Sequence, residues 1–290
     1  MKASLVINYH LKNKVFDIKD QNVNRDNYAY SIWLLREYLQ AQDITLATCD
    51  IHNPLESNVT LYFDFSENNK AIYNKKSYLF LFESEVIKPA NWVVNNHNDF
   101  HKIFTWHDKL VDNKKYFKIN FSHKFPEDKI KYRSIMNSFG DKKLCALISG
   151  NKKVSHKLEL YSEREKTIRW FENNALDDFD LYGIGWDKYT SENRYIRFLV
   201  LKVAKLSKLL TPYFPSYKGM VESKLETLSK YKFAICYENA QMIPGYITEK
   251  IFDCFFAGCV PVYWGAPNIT EHIPQNCFID RRKFKSHEEL

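Results

Sequence analysis

The chain has 290 residues, 45% of them hydrophobic and 16% aromatic, and a net charge of +7. That apolar content excludes a disordered chain, and the length allows two domains, each with its own core. The modest positive excess suits an anionic ligand or an anionic membrane surface; no nucleic-acid motif accompanies it, so nucleic acid is not an expected partner.

The opening residues MKASLVINYH are too short and too polar for a signal peptide or a membrane span, so a cytoplasmic protein is expected. An apolar run at 5–7 predicts a first strand. Tyr28, Ile32, Leu35 and Leu39 then predict one helix face. Further strands are predicted at 44–47, 60–63, 78–82 and 103–106. This alternation predicts a Rossmann-like domain over residues 1–135. The fourth strand runs into Glu83, Ser84 and Glu85, and a carboxylate at the carboxyl end of a buried strand is aimed at a ligand. His97 and His101 stand four apart, a spacing that can share zinc on a helix, but no carboxylate lies between them at HExxH spacing. Ordinary solvated or packed histidines are the simpler reading, and Trp92, Asn95 and Asn96 make the segment look more like a ligand-side loop.

A break at 126–140 introduces a second domain over 140–290. It starts with a strand at 144–148 ending in Ser149-Gly150-Asn151. A helix at 159–173 carrying Arg164 follows, then a strand at 179–182 ending in Gly183. Asp178-Phe179-Asp180 fits a metal-binding DxD pattern, but short acidic triplets are common and Asp180 leads into an apolar strand, so no metal is expected. Residues 192–210 predict one amphipathic helix with Leu199, Val203, Leu206 and Leu210 on one face and Lys202, Lys205 and Lys208 on the other. It packs on the domain or lies on an anionic membrane. The six cysteines form no CxxC pair and are expected as reduced, mostly buried thiols. Neither a Walker loop nor GxGxxG is present.

The segment 231–280 carries the most chemistry. An apolar strand around Phe233–Cys236 gives way to a polar loop with Glu238, Asn239 and Pro244-Gly245. Thr248 is an N-cap candidate. Ile247, Ile251, Cys254, Phe255 and Gly258 then fall at helical spacing, Gly258 suits a left-handed helix end, and a second strand follows at 260–264. Such a βαβ crossover is right-handed, and its ligand sits beyond the carboxyl ends of the strands, here at the loop 237–247. A helix start attracts phosphate. Lys250 in the first turn opposes the helix dipole unless an anion lies nearby, and Glu249 can accept hydrogen bonds from sugar hydroxyls. A surface ion pair accounts for the same two residues.

The motif YKF-ICYEN followed by GYITEKIFD-F-AG-VPVYWG-P-I resembles the signature of the α-1,3-fucosyltransferases of glycosyltransferase family 10, over about residues 217–284. The resemblance implies an α/β protein of GT-B fold, with two Rossmann-like domains facing a cleft, that inverts the anomeric centre of GDP-fucose. It implies that Glu238, Asn239, Tyr246, Thr248, Glu249 and Lys250 hold the donor. Lys250 would neutralise the diphosphate, and Glu249 would hold ribose or fucose hydroxyls. No cofactor or divalent metal is required. The arginine that family members place upstream is missing; Lys218, or Arg164 on the preceding helix, could stand in, the lysine only as a point charge.

Inverting transfer also needs a general base. The resemblance places it after a strand of the first domain, so Glu83 is expected, with Glu85 as the neighbour to be weighed against it. The implied acceptor is N-acetylglucosamine in a lactosamine-like unit of a surface polysaccharide or lipopolysaccharide, an oligosaccharide that can be lipid-linked and would bring the protein to the inner membrane. A non-catalytic glycan- or nucleotide-sugar-binding relative, or a transferase of another nucleotide sugar, is the alternative. Family members continue beyond the helix start expected at 285–290.

Overall fold

The structure is a computed structural model and describes residues 1–66, 76–125 and 139–290. The chain forms two compact units, one of residues 1–125 with 244–247, the other of residues 126–243 with 248–290. The break expected at 126–140 lies, up to residue 138, outside the described residues.

Unit 1 is built on a six-stranded sheet whose pairings are all parallel. Its strands are β1 (Lys2–Val6), β2 (Thr45–Thr48), β3 (Val59–Phe63), β4 (Lys76–Leu81), β5 (Lys102–Thr105) and β6 (Tyr116–Lys118). Their order is β2-β1-β3-β4-β5-β6. Leu5, Leu46, Leu79, Leu81 and Ile103 are fully buried, as strands covered on both faces require. Helix α1 (Tyr30–Gln40) packs through Ile32, Leu35 and Leu39 on the Leu5 side of the core. The expected helix face also included Tyr28. The structure corrects this: Tyr28 precedes the helix and is exposed. Strand β6 was not expected.

Unit 2 holds β7 (Lys143–Ile148), β8 (Phe179–Tyr182), β9 (Tyr231–Tyr237), β10 (Val260–Trp264) and β11 (Ile279–Asp280), in the order β11-β10-β9-β7-β8. These pairings too are parallel. Helix α2 (Tyr161–Asn174) buries Arg164, Thr167 and Ile168, and Leu147, Ile168, Phe179, Leu181 and Val262 share the core. The expected helix over 192–210 is in fact two, α3 (Arg194–Lys202) and α4 (Ala204–Leu210), broken where Val203 turns extended. Asn193 caps α3, its Oδ1 accepting from the Tyr195 and Ile196 N–H groups at 2.9 and 3.2 Å. The short α5 (Lys224–Leu228) precedes β9, and α6 (Glu249–Phe256) follows it. Gly258 ends α6 in the left-handed region (φ 61°), as expected of that residue. Residues 285–290 form turns rather than the expected helix start, with Trp170 Nε1 donating to Glu288 at 2.6 Å.

The two sheets share one winding. In each, the second strand lies on one side of the first and the third strand on the other. The order therefore reverses between β1 and β3 in unit 1 and between β7 and β9 in unit 2. Such switch points open a crevice at the carboxyl ends of the strands, and ligands of open α/β sheets bind there. All six cysteines are free thiols; Cys145, Cys236, Cys254 and Cys259 are buried and Cys277 is exposed. Among the described residues, no helix is long and apolar enough to cross a membrane.

Candidate functional site

In unit 2 the switch point is occupied by the loop after β9. Glu238 continues that strand, its N–H donating to Trp264 O at 2.8 Å. Its carboxylate is fully buried. Oε1 accepts from the Thr248 N–H at 2.8 Å, and Oε2 accepts from the Thr248 hydroxyl at 2.7 Å and Lys250 Nζ at 3.2 Å. Glu238 thus ties the end of β9 to the start of α6. Thr248 stands at the N-cap as expected, but its hydroxyl serves Glu238 and Lys250 (2.9 Å) instead of a helix N–H. Glu238, expected among the donor-holding residues, uses both oxygens in these bonds. Gly265 is required beside it, because a Cβ there would lie 2.5 Å from Glu238 Cγ and 2.5 Å from the Tyr263 oxygen.

Glu249 and Lys250 open α6 within 3.5 Å of each other, and Lys224 of α5 approaches Glu249 at 3.7 Å and Asp253 at 2.9 Å. The cation that would oppose the helix dipole is thus matched by Glu238 and Glu249. Burial of the Glu249 carboxyl acts to raise its pKa, but Lys250 and Lys224 outweigh it and hold the group at about 2. Its side chain keeps 43% of its surface, so the two lysines rather than enclosure set the value. Lys224 is itself pushed up, since Glu249 and Asp253 outweigh its burial.

Arg164 reaches the same loop from α2. Its Nη2 donates to Tyr237 O at 2.6 Å and to Asn239 Oδ1 at 3.0 Å, while Leu160 N–H donates to Asn239 O. The guanidinium is buried and braces the loop. Lys218 stands elsewhere. Its Nζ lies 3.5 Å from Asp180, whose carboxylate also takes Lys143 (2.8 Å) and the Tyr231 hydroxyl (2.6 Å). Asp180 is level with Ala234 in mid-strand, away from the end of β9, so Lys218 is not brought to the loop. Asp180, the last residue of the acidic triplet, is engaged by these two lysines. Arg281, which sequence reasoning missed, is buried just past β11, with its guanidinium 5.8 Å from the Trp264 ring and Nη1 donating to Phe284 O at 2.7 Å.

Tyr246 falls in unit 1. Its ring lies 4.6 Å from Trp106 and 6.2 Å from Phe121, and it is buried. Asp108 N–H donates to Pro244 O, and Gly245 (φ 82°) passes so close that a Cβ would sit 2.2 Å from Trp106 O. Tyr246, expected to hold a donor, is thus packed on unit 1 through Trp106 and Phe121.

Glu83 follows β4 in unit 1, as its position after the predicted strand requires. Its main chain is held at every polar group. Phe82 N–H and Glu83 N–H donate to Asp64 Oδ1 at 2.8 and 3.1 Å. Glu83 O accepts from Asn91 Nδ2 at 3.1 Å and Trp92 Nε1 at 3.0 Å, and Phe82 O accepts from Trp106 Nε1 at 2.9 Å. Asn91, fully buried, also donates to Asp64 Oδ1 at 2.7 Å. Asp64 itself adopts φ 63°. The sequence signal that picked Glu83, a carboxylate just after a buried strand, applies equally to Asp64 after β3, which was missed. Of the nearby histidines, His97 is buried, His107 half-buried and His101 exposed. His97 bonds Asn91 O (2.7 Å) and the Tyr116 hydroxyl (2.9 Å), His101 meets Tyr78 edge-on, and His107 stacks on Trp106. Burial lowers the pKa of both His97 and His107.

With this geometry in place, comparison with known proteins gives a consistent result. The family model described as "Glycosyltransferase family 10 (fucosyltransferase) C-term" matches residues 200–290. The Helicobacter pylori α-(1,3)-fucosyltransferase FucT is 42% identical over 69 residues, 24% of this chain and 14% of that protein. An Arabidopsis thaliana α-(1,4)-fucosyltransferase is 41% identical over 63 residues, 22% of this chain and 16% of that protein. The Danio rerio GDP-fucose protein O-fucosyltransferase 3 is 49% identical over 71 residues, 24% and 15% respectively. The matched stretch is thus a small fraction of each relative's length. Among solved structures, an α1,3-fucosyltransferase crystal structure with GDP-fucose superposes with a TM-score of 0.56 at 17% identity, covering 100% of this chain and 75% of that one. Another α1,3-fucosyltransferase crystal structure reaches 0.59 at 16% identity, covering 99% and 75%. At that identity the likeness establishes the fold, a mixed α/β chain with two parallel sheets that matches structures of the GT-B class.

Proposed function

We propose that this chain, whose residues 200–290 are those of glycosyltransferase family 10, transfers L-fucose from GDP-fucose to a glycan hydroxyl. One observation carries the reading. The loop and helix start from Glu238 to Lys250, braced at the unit 2 switch point, lie in the stretch shared with fucosyltransferases named for different linkages. Relatives that differ in acceptor share what they have in common, the fucosyl donor. Unit 2 is accordingly assigned to donor binding and unit 1 to the acceptor side. Glu249 accepts from ribose or fucose hydroxyls, Asn239 of the same loop contributes to holding the donor, and Lys250 offsets diphosphate charge in place of a divalent metal.

The transfer is a single displacement. The acceptor oxygen bonds to the anomeric carbon as the bond from that carbon to the GDP oxygen breaks on the opposite face. The hydroxyl proton passes to Glu83, whose fixed main chain suits a base that must be positioned before reaction. The acceptor is assigned as N-acetylglucosamine of a lactosamine-like unit in a surface polysaccharide or lipopolysaccharide, linked α-1,3 as in the name of the Helicobacter pylori relative. Helices α3 and α4 support a peripheral role at an anionic membrane that could carry a lipid-linked acceptor. Residues 194–210 hold Arg194, Arg197, Lys202, Lys205 and Lys208 with no acidic residue, and expose Tyr195, Phe198, Leu199 and Leu209.

A thermal-shift panel of GDP-fucose, GDP-mannose and UDP-sugars, followed by GDP release with added N-acetyllactosamine, tests the function. A ligand at a hundred times its Kd stabilises the fold by about 2.7 kcal/mol. GDP-fucose should raise the melting temperature most, and GDP release should persist in EDTA. Stabilisation without turnover would mark a binding protein, and no response to any guanine nucleotide would overturn the reading.

A further inference from the structure

We infer that Tyr9 and Tyr28 form an acceptor-sugar subsite of unit 1 that takes a neutral hexose or N-acetylhexosamine ring beside Glu83. The inference rests on the transferase reading above and gives it a residue-level acceptor site.

Topology selects the place. Tyr9 stands in the loop after β1 and Asp64 directly after β3, the two strands between which the sheet order reverses. Glu83 follows β4, the next strand. The crevice of an open α/β sheet lies there. Tyr28 comes from the approach to α1, and its hydroxyl meets that of Tyr9 at 2.8 Å.

The chemistry fits a sugar. A pyranose has a C–H face that packs on aromatic rings and a hydroxyl edge that both donates and accepts. Tyr28 is 55% exposed and Tyr9 37%, and their rings are tilted by 53° with centroids 6.3 Å apart, so neither ring covers the other. A phenol hydroxyl pair supplies a donor and acceptors in one place. Crowding around the Tyr9 oxygen, then Tyr28, Asp64 and Glu83, pushes the Tyr9 hydroxyl well up, so it stays protonated and able to donate. Tyr28 shifts the same way, burial again leading. Asp64 and Glu83, which both act to raise the two hydroxyls, would meet a carboxylate-bearing sugar with like charge, so a neutral ring is the expected occupant.

The backbone points the same way. Nine non-glycine described residues have positive φ. Five of them, His10, Lys12, Asn13, Asp26 and Asn27, lie in the segments that present Tyr9 and Tyr28, and a sixth is Asp64. Left-handed backbone of this kind gathers at ligand sites, where surrounding contacts must hold it. Here they do: Asn13 exchanges hydrogen bonds with Thr48, and Asn24 holds Ala29 N–H and Ile18 O.

The test measures GDP release against N-acetyllactosamine and its sialylated form, with Tyr9→Phe, Tyr28→Phe and Tyr28→Ala. Both tyrosines are surface residues, and the phenylalanine variants keep the rings, so folding is preserved and checked by melting. Tyr28→Ala should raise the acceptor KM about tenfold, and each phenylalanine variant a few-fold, on the scale of one lost hydrogen bond or ring contact. The GDP-fucose thermal shift should not move, and the wild type should prefer the neutral acceptor. An unchanged acceptor KM in Tyr28→Ala and Tyr9→Phe, with the wild type active, overturns the subsite alone. Wild-type protein that releases no GDP with any acceptor overturns the transferase reading and the subsite with it.

Discussion

At the scale of single residues, the carboxyl end of β4 in unit 1 is organised around one carboxylate. Asp64 accepts three hydrogen bonds on one oxygen, two from the main chain of Phe82 and Glu83 and one from buried Asn91. Glu83→Gln should lower kcat by a factor on the order of 10² to 10⁴ with the GDP-fucose thermal shift kept. Near-normal turnover in that variant would reject Glu83 as the base. On the proposed function, Asp64 would act through Glu83 as a positioning residue. Asp64→Ala should reduce kcat by up to about 10², the cost of roughly 1 Å of misplacement, with the donor shift unchanged. Asp64→Asn, which keeps an oxygen acceptor, should recover part of it. A purely structural role would instead lower the melting temperature and leave kcat per folded molecule intact. The sequence carried Glu83 through the rule of a carboxylate after a strand. It did not carry Asp64, because which oxygen takes which N–H depends on strands that meet only in the sheet.

At the scale of elements, the start of α6 is a charge cluster as well as a phosphate-attracting helix end. Glu238, Glu249, Lys250, Lys224 and Asp253 are mutually engaged. The folded pKa of Glu249 lies near 2, below its ordinary value of 4.5. A depressed carboxylate contributes stability that is fully present above the ordinary value and lost as pH falls through the folded one. The wild-type melting temperature should therefore drop between about pH 4.5 and 2 more steeply than that of Glu249→Gln. Parallel acid limbs in the two proteins would remove Glu249 from that role. The same cluster makes Lys250 variants ambiguous as activity probes. Lys250 sits on buried Glu238, and stripping a partner from a buried ion pair typically costs about 3–5 kcal/mol of stability. Helix periodicity read α6 correctly because its stripe of Ile251 and Cys254 faces the core. Periodicity misread 192–210, because nothing at Val203 in the sequence announces a break.

At the scale of the whole molecule, two sheets with one winding place separate residue sets at equivalent switch points. The α3–α4 surface is the clearest feature outside those points. Liposome flotation with anionic vesicles should recover the wild type and lose a Lys202/Lys205/Lys208→Glu variant, since each basic residue near such a surface contributes about 1 kcal/mol. Equal flotation would leave the exposed apolar residues without a membrane role. The sequence alone determined the α/β class, most of the strands and the polar loop and helix start of unit 2. Buried parallel strands are continuous apolar runs, and the loop motif is local and contiguous, so both are written in neighbouring residues. Tertiary structure decided which site residues face inward. Glu238, Tyr246 and Arg164 are polar or aromatic residues in the chain whose burial and internal bonds appear only in the fold, because strand ends and helix starts far apart in sequence meet on them. Tyr9, Tyr28 and Asp64 look unremarkable in the chain, yet they converge, because the reversal of strand order brings their loops to one crevice.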